Sequence, residues 1–265
     1  MRGRSSAVLL ALAVAALAPS LGVAQYTPRW HVGDWWVTKK LSQILTDCGK
    51  EWLTEYARYE ILGVEKVGDH DCFVLEVRPQ SRPDGAPSKI REVYYVRRDD
   101  WLVVRRKWTL TFGDTLLPER TEDCPMGLFG PGYALEPRLP RFPLRLGDPD
   151  TTFKLKRRHH GALKMREIST LADRGAVKRF LDEGDGANVR VVRPTGPVYE
   201  VRVEAGGNLA PGPLAEHQQI IQSLQLWCEN LPWRLYEEQV TYVGVRRAKC
   251  VNERSWLIAI GHSGK

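Results

Sequence analysis

From Gln25 to about Asp114 apolar and polar residues alternate with period two, and turn-forming residues interrupt the pattern at strand-like intervals, which predicts antiparallel β-structure. Phe73, Leu75 and Val77 alternate with Val74, Glu76 and Arg78 after the turn Gly68-Asp69-His70-Asp71, so the first three should share a buried face. Ile90 to Leu110 reads as a hairpin turning at Asp99-Asp100, a pair without the glycine that two-residue turns prefer. Its simplest register sets Arg98 against Trp101, Val96 against Val103, Tyr94 against Arg105 and Glu92 against Lys107. Alternation resumes at Thr152 and recurs in Asn188 to Arg193, Val198 to Glu204, Val240 to Arg246 and Ser255 to Ile260. Leu214 to Glu229 fits a helix or a strand, with the balance toward a strand. No fixed-period repeat is visible, which argues against a solenoid or propeller.

Between Thr115 and Asp150 lie seven of the 17 prolines, a density that should exclude regular strands and long helices. Met126, Leu128, Phe129, Tyr133, Leu135 and Phe142 make this stretch too apolar for a free linker. It should lie packed across a sheet, or serve as a lid. The expected organisation is a leader over residues 1–24 and a single β-rich domain over 25–265. That domain divides into a first strand set (25–114), a proline-rich crossing segment (115–150) and a second strand set (151–265). The expected fold class is mainly β, with a large curved antiparallel sheet resembling a half-barrel and a minor helix.

Arg2 and Arg4, the apolar run Ala7 to Ala18, and small residues at Gly22 and Ala24 match a secretory signal peptide cleaved near Ala24. The run is too short to cross a bilayer, so no stable transmembrane anchor is expected and the mature chain should be periplasmic or extracellular. The 265 residues carry 39 Lys+Arg against 32 Asp+Glu, and the excess shrinks when Arg2 and Arg4 are removed. This modest basicity suits an anionic envelope surface better than nucleic acid.

The five cysteines would meet an oxidising compartment, and without a C-x-x-C or zinc-finger spacing they read as structural. Cys48 with Cys72 and Cys228 with Cys250 would each close a short loop worth ~3–4 kcal/mol, leaving Cys124 free. Sequence alone leaves other connectivities open.

No G-x-S-x-G elbow, phosphate-binding loop or strand-linked G-x-G-x-x-G occurs, and no carboxylate pair is singled out, so no catalytic residue, metal or cofactor is expected. Two surface features stand out. Lys154, Lys156, Arg157 and Arg158 form a basic run suited to phosphate or lipid headgroups, or simply a solvated strand. The nine tryptophans are core candidates, but Trp35, Trp101, Trp108, Trp233 and Tyr236 would line an apolar groove if a curved sheet left one open.

The strings Trp30-His31-Val32-Gly33-Asp34-Trp35-Trp36-Val37 and Leu231-Pro232-Trp233-Arg234-Leu235-Tyr236 resemble those of bacterial exported β-rich proteins of unassigned function. Some of these are similar in build to the lipoprotein-carrier superfamily, a curved half-barrel that holds acyl chains. The cysteines and the long proline segment depart from the carrier pattern. The leading expectation is a non-catalytic binding protein for a lipid, lipoprotein or other amphiphile of the envelope, recognised by an apolar concavity. The alternatives are an interaction module using an exposed sheet edge, and a hydrolase of envelope polymers with convergent acids in a polar cleft.

Overall fold

A computed structural model describes residues 25–46, 49–113, 115–123, 140, 142, 144–145, 151–157, 161–186, 188–207, 219–243 and 248–264. Side chains are not described in parts of the strands, including all of 151–157 and 161–167. The strands are β1 (Gln25–Tyr26), β2 (Asp34–Thr46), β3 (Gly49–Val67), β4 (His70–Gln80), β5 (Glu92–Arg97), β6 (Val103–Trp108), β7 (Thr111–Phe112), β8 (Thr115–Leu116), β9 (Arg120–Asp123) and β10 (Leu144–Arg145). They continue with β11 (Thr151–Arg157), β12 (Gly161–Leu171), β13 (Val198–Gly207), β14 (Gln219–Cys228), β15 (Tyr236–Val243) and β16 (Ala248–His262). One helix, α1 (Arg174–Asp182), is present among the described residues.

Twelve strands form one antiparallel sheet in the order β11-β12-β13-β14-β15-β16-β2-β3-β4-β5-β6-β9. The protein is mainly β, and the sheet is not closed into a barrel. Its two strand sets are joined where β16, the last strand, pairs with β2.

Ring contacts show how strongly the sheet curves. Phe142 lies 5.2 Å from Trp101, in the β5–β6 connection, and 5.1 Å from Trp227 on β14. β14 and β5 are six inter-strand steps apart, which in a flat sheet would span ~29 Å at about 4.8 Å per step. One phenylalanine can touch both only if the sheet curls over it. The enclosed, inner face carries Trp36, Tyr59, Ile61, Leu75, Val77, Tyr94, Tyr199 and Val201, all buried. Trp30, Trp233, Phe142 and Leu144 fill the hollow: the Trp30 ring is 5.7 Å from Trp36, 5.5 Å from Phe73 and 4.7 Å from Trp101.

The outer face is covered in two places. α1 lays Val177, Phe180 and Leu181 over it, with Phe180 stacked on Tyr236 at 4.9 Å and the Trp256 indole N–H donating to the Phe180 carbonyl at 2.8 Å. Asp173 caps the helix by accepting from the Ala176 amide at 2.8 Å. The spacing Val177, Phe180, Leu181 was a legible helical signal, but nine residues between two strands read easily as another strand. A second cluster, Cys72, Val74, Val93, Tyr95 and Val104, buries the outer face of β4–β6.

Four sequence expectations are corrected. The strand expected over residues 188–193 does not form: Val189 makes only an isolated bridge with Gly186, and the following residues are irregular. The proline-rich stretch contains β8, β9 and β10, because two to four residues between prolines suffice for a strand with a partner waiting. Of its described part, Phe142 and Leu144 are buried, whereas 115–123 are almost all exposed; residues 124–139 lie outside the described residues.

The β5–β6 hairpin keeps Val96 opposite Val103, but a bulge then shifts the register. Tyr94 meets Arg106, Tyr95 meets Arg105 and Glu92 meets Trp108. In place of a turn glycine, Trp101 itself takes a positive φ of 63°, a conformation costly for a bulky residue and held here by its buried ring.

The disulfide expectation fails where it can be examined. Cys72 and Cys228 are free and buried. Cys72 stands opposite Glu65, roughly 50 Å of strand path from Gly49, the neighbour of Cys48 in sequence. Cys48 itself lies outside the described residues. Leu226 aligns across β15 with Trp256, so Cys228 and Cys250 sit roughly 25 Å apart along the strands, well beyond disulfide reach.

The segment 214–229, read with the balance toward a strand, does form one, β14, from Gln219; residues 214–218 lie outside the described residues. The leader, residues 1–24, also lies outside them. No helix among the described residues is long and apolar enough to cross a membrane.

Candidate functional site

Antiparallel alternation places a block of polar side chains on the inner face, beside its aromatic filling. Glu237 and Gln239 of β15 stand opposite Ser255 and Glu253 of β16, which stand opposite Lys40 and Ser42 of β2; Thr38 and Lys40 face Ala57 and Glu55 of β3. With Tyr59, Gln80, Trp233 and Arg234 these residues, Ser42 excepted, line a cavity of about 290 Å³.

Its charges are paired within the wall. Arg234 lies 2.7 Å from Glu237, and the two side chains are 6% and 7% exposed. Glu237 also accepts from Ser223 and from Gln225, each at 3.2 Å, and Gln225 in turn accepts from the Trp227 indole at 2.9 Å. The Arg234 guanidinium sits 4.7 Å over the Trp233 ring. Lys40 lies between Glu55 at 3.1 Å and Glu253 at 3.4 Å. Burial pushes the Tyr59 hydroxyl upward in pKa, opposed by nearby Arg234.

Desolvating such groups is expensive, and apolar residues of similar volume commonly give equal or greater stability. The arrangement therefore marks the pocket as a candidate site. Sequence reasoning missed it because the contributors come from five strands and a connection, each an unremarkable polar residue in an alternating run. The one local sign was Arg234, a charge set between the buried Trp233 and Leu235.

A second concavity, about 840 Å³, lies on the outer side between α1, the end of β12 and residues 193–198. Val177, Leu181 and Val198 form a buried floor, and Leu171, 62% exposed, forms one apolar wall. Arg174, Lys178 and Arg193 stand at its rim. Asp182, also at the rim, lies 2.6 Å from Lys178 and 3.0 Å from Arg193, and these cations hold its carboxyl below the usual range.

The five residues expected to line a ligand groove are distributed over both faces. Trp101 and Trp233 are buried in the inner filling around Trp30. Of the five, only Trp233 reaches the polar pocket. Trp108 lies toward the β9 edge under the Arg106 guanidinium, at 4.7 Å. Trp35 is on the outer face beneath Arg58, at 4.2 Å, and Tyr236 is fully buried there under α1. Lys154, Lys156 and Arg157 lie on β11 at one edge of the sheet, with Lys154 opposite Lys164; their side chains and the whole of Arg158 lie outside the described residues. No group of three or more His, Cys, Asp or Glu suited to a metal ion occurs among the described residues.

No family profile matches the chain, and no curated protein matches it. Among solved structures, a protein from Parabacteroides distasonis named as a candidate lipoprotein is similar at 9% identity, over 87% of this chain and 96% of that one, with a TM-score of 0.32. A likeness of that extent assigns neither fold nor function, and no comparison places the chain in the lipoprotein-carrier superfamily.

Proposed function

We propose that the chain is an exported, non-catalytic binding protein for an anionic amphiphile of the cell envelope. The observation that carries this reading is the outer groove, an apolar floor of Val177, Leu181 and Val198 with the exposed Arg174 at its rim, beside Lys178 and Arg193, which share Asp182. Apolar lining with a few placed polar groups is the usual form of a small-molecule site, and arginine suits phosphate or carboxylate heads. The signal-like leader and the modest basicity support the same setting. The inner face, where the tryptophans suggested a groove, is filled by their own rings, so the ligand belongs on the opposite side of the sheet. Docking through a sheet edge is less well supported. β9 offers only Arg120-Thr121-Glu122-Asp123, and β11 at the other edge carries Lys154, Lys156 and Arg157, charged edges of the type that discourages strand addition.

The test is native mass spectrometry of gently purified protein, with co-sedimentation on phosphatidylglycerol and phosphatidylcholine vesicles. An organic-extractable extra mass and a preference for the anionic vesicles are expected. Both should be lost in Leu171→Glu and weakened in Arg174→Glu, whose exposed positions leave folding intact. A bare polypeptide mass together with equal binding to the two vesicle types refutes the proposal.

A further inference from the structure

We infer that the inner polar pocket is a second binding site, selective for a small, neutral, hydroxyl-rich ligand of the saccharide type. The pocket leaves buried polar atoms unsatisfied. Gln239 is 1% exposed, lines the cavity, and its side-chain carbonyl oxygen has no hydrogen-bond partner among the described residues. Gln80 donates its amide nitrogen to the Gly85 carbonyl at 2.6 Å, which fixes the amide and leaves its buried carbonyl oxygen equally without a donor. A buried acceptor without a donor is costly, so the pocket calls for a ligand that supplies N–H or O–H groups.

The charges then narrow the class. Arg234 is matched by Glu237, and Lys40 by Glu55 and Glu253, so an ionic ligand would have to displace an existing pair. A neutral polyol does not. Its hydroxyls can donate to the two glutamine oxygens and accept from Thr38 and Ser255, which line the same wall. Tyr59 and Trp233, packed against other rings, border the cavity and give its wall an apolar edge for the C–H groups of a sugar ring. A cavity of about 290 Å³ is at the small end of ligand sites and fits one or two such rings, not a lipid chain with its head.

The experiment is saturation-transfer difference NMR on the full mature protein with glucose, galactose, mannose, N-acetylglucosamine and its β-1,4 dimer, alongside cationic glucosamine and anionic glucuronate. At least one neutral member should bind, and more tightly than its charged counterparts. Gln239→Leu should weaken that binding about tenfold or more without lowering the melting temperature, because the lost carbonyl has no donor to forfeit in the free protein. A purely structural glutamine would not give that combination. Vesicle binding by Gln239→Leu should match the wild type, which separates this site from the outer groove. The inference is overturned if no neutral member binds, if the charged sugars bind better, or if Gln239→Leu leaves affinity unchanged.

Discussion

Glu237→Ala removes the carboxylate 2.7 Å from Arg234 and, with it, the acceptor shared by Ser223 and Gln225. Because both charged side chains are below a tenth exposed, solvent cannot substitute for what is lost. Breaking one side of such a pair costs ~3–5 kcal/mol. Glu237→Gln keeps an oxygen in place for Ser223 and Gln225 and loses only the charge, so ~1.5–3 kcal/mol is expected, the range for hydrogen bonds to charged groups. The double variant Arg234→Met with Glu237→Leu removes both charges and should recover most of the loss. Glu55→Ala is the control. Glu55 is 42% exposed and Lys40 keeps Glu253, so a cost of roughly 0.2–1 kcal/mol is expected. Urea unfolding followed by circular dichroism reads these values. With an m-value near 3 kcal/mol/M for a chain of this size, Glu237→Ala should lower the midpoint by roughly 1–1.7 M. If Glu237→Ala costs no more than Glu55→Ala, or if the double variant is as unstable as the two single changes added together, the buried pair is not the organising element of the pocket.

Two further outcomes follow from burial. Tyr26, Tyr59, Tyr199 and Tyr236 all have their hydroxyls pushed upward in pKa by burial, Tyr199 to about 12 with help from its hydrogen bond to Glu229. In the unfolded chain they ionise near pH 10, so between that pH and the folded values the native state holds more protons. Stability is thus intact below pH 10 and falls above it, by up to ~1.4 kcal/mol per pH unit for each retained proton. Absorbance at 295 nm should show a tyrosine fraction that ionises only as far-UV dichroism collapses, and reversible titration of all nine near pH 10 with the fold intact would refute this. Gly184→Ala should lower stability by ~1–3 kcal/mol in thermal unfolding, because its Cβ would fall 2.4 Å from Cδ1 of the buried Trp256 ring; Gly186→Ala, with nothing within 4 Å, should be close to neutral. Equal melting temperatures for the two would show that the turn after α1 does not lie against Trp256.

The regularities that are local in sequence were the legible ones. Period-two alternation specified Phe73, Leu75 and Val77 as a buried set, and all three are buried against the inner filling. The same alternation failed as a guide to solvent, because Val74 and Glu76 on the opposite side are buried as well. Covering both faces of β4 takes partners that its own sequence does not name. Register was less secure. The single extra residue in β6 is invisible to pattern matching, yet it exchanges Arg105 for Arg106 opposite Tyr94 and thereby brings Arg106 to 2.8 Å from Glu92.

The polar pocket illustrates a deeper limit of sequence reading. Thr38, Lys40, Glu55, Glu237, Gln239, Glu253 and Ser255 each occupy positions where alternation permits either a solvated or an enclosed face. Nothing within any one strand decides between them. The decision comes from closure: β16 pairs with β2, and the curled sheet brings Trp30 and Trp233 over one end of the shared face. Trp101 and Trp233, two of the aromatics that looked like ligand contacts, therefore help seal the hollow, and ordinary polar residues beside them become the buried ones. In a strongly curved sheet filled by tryptophan, the side chains to examine for binding are the polar neighbours of the aromatic cluster rather than the aromatics themselves. That inversion is what Gln239→Leu and Glu237→Ala probe from two directions, the first removing an acceptor the fold does not use and the second removing one it does.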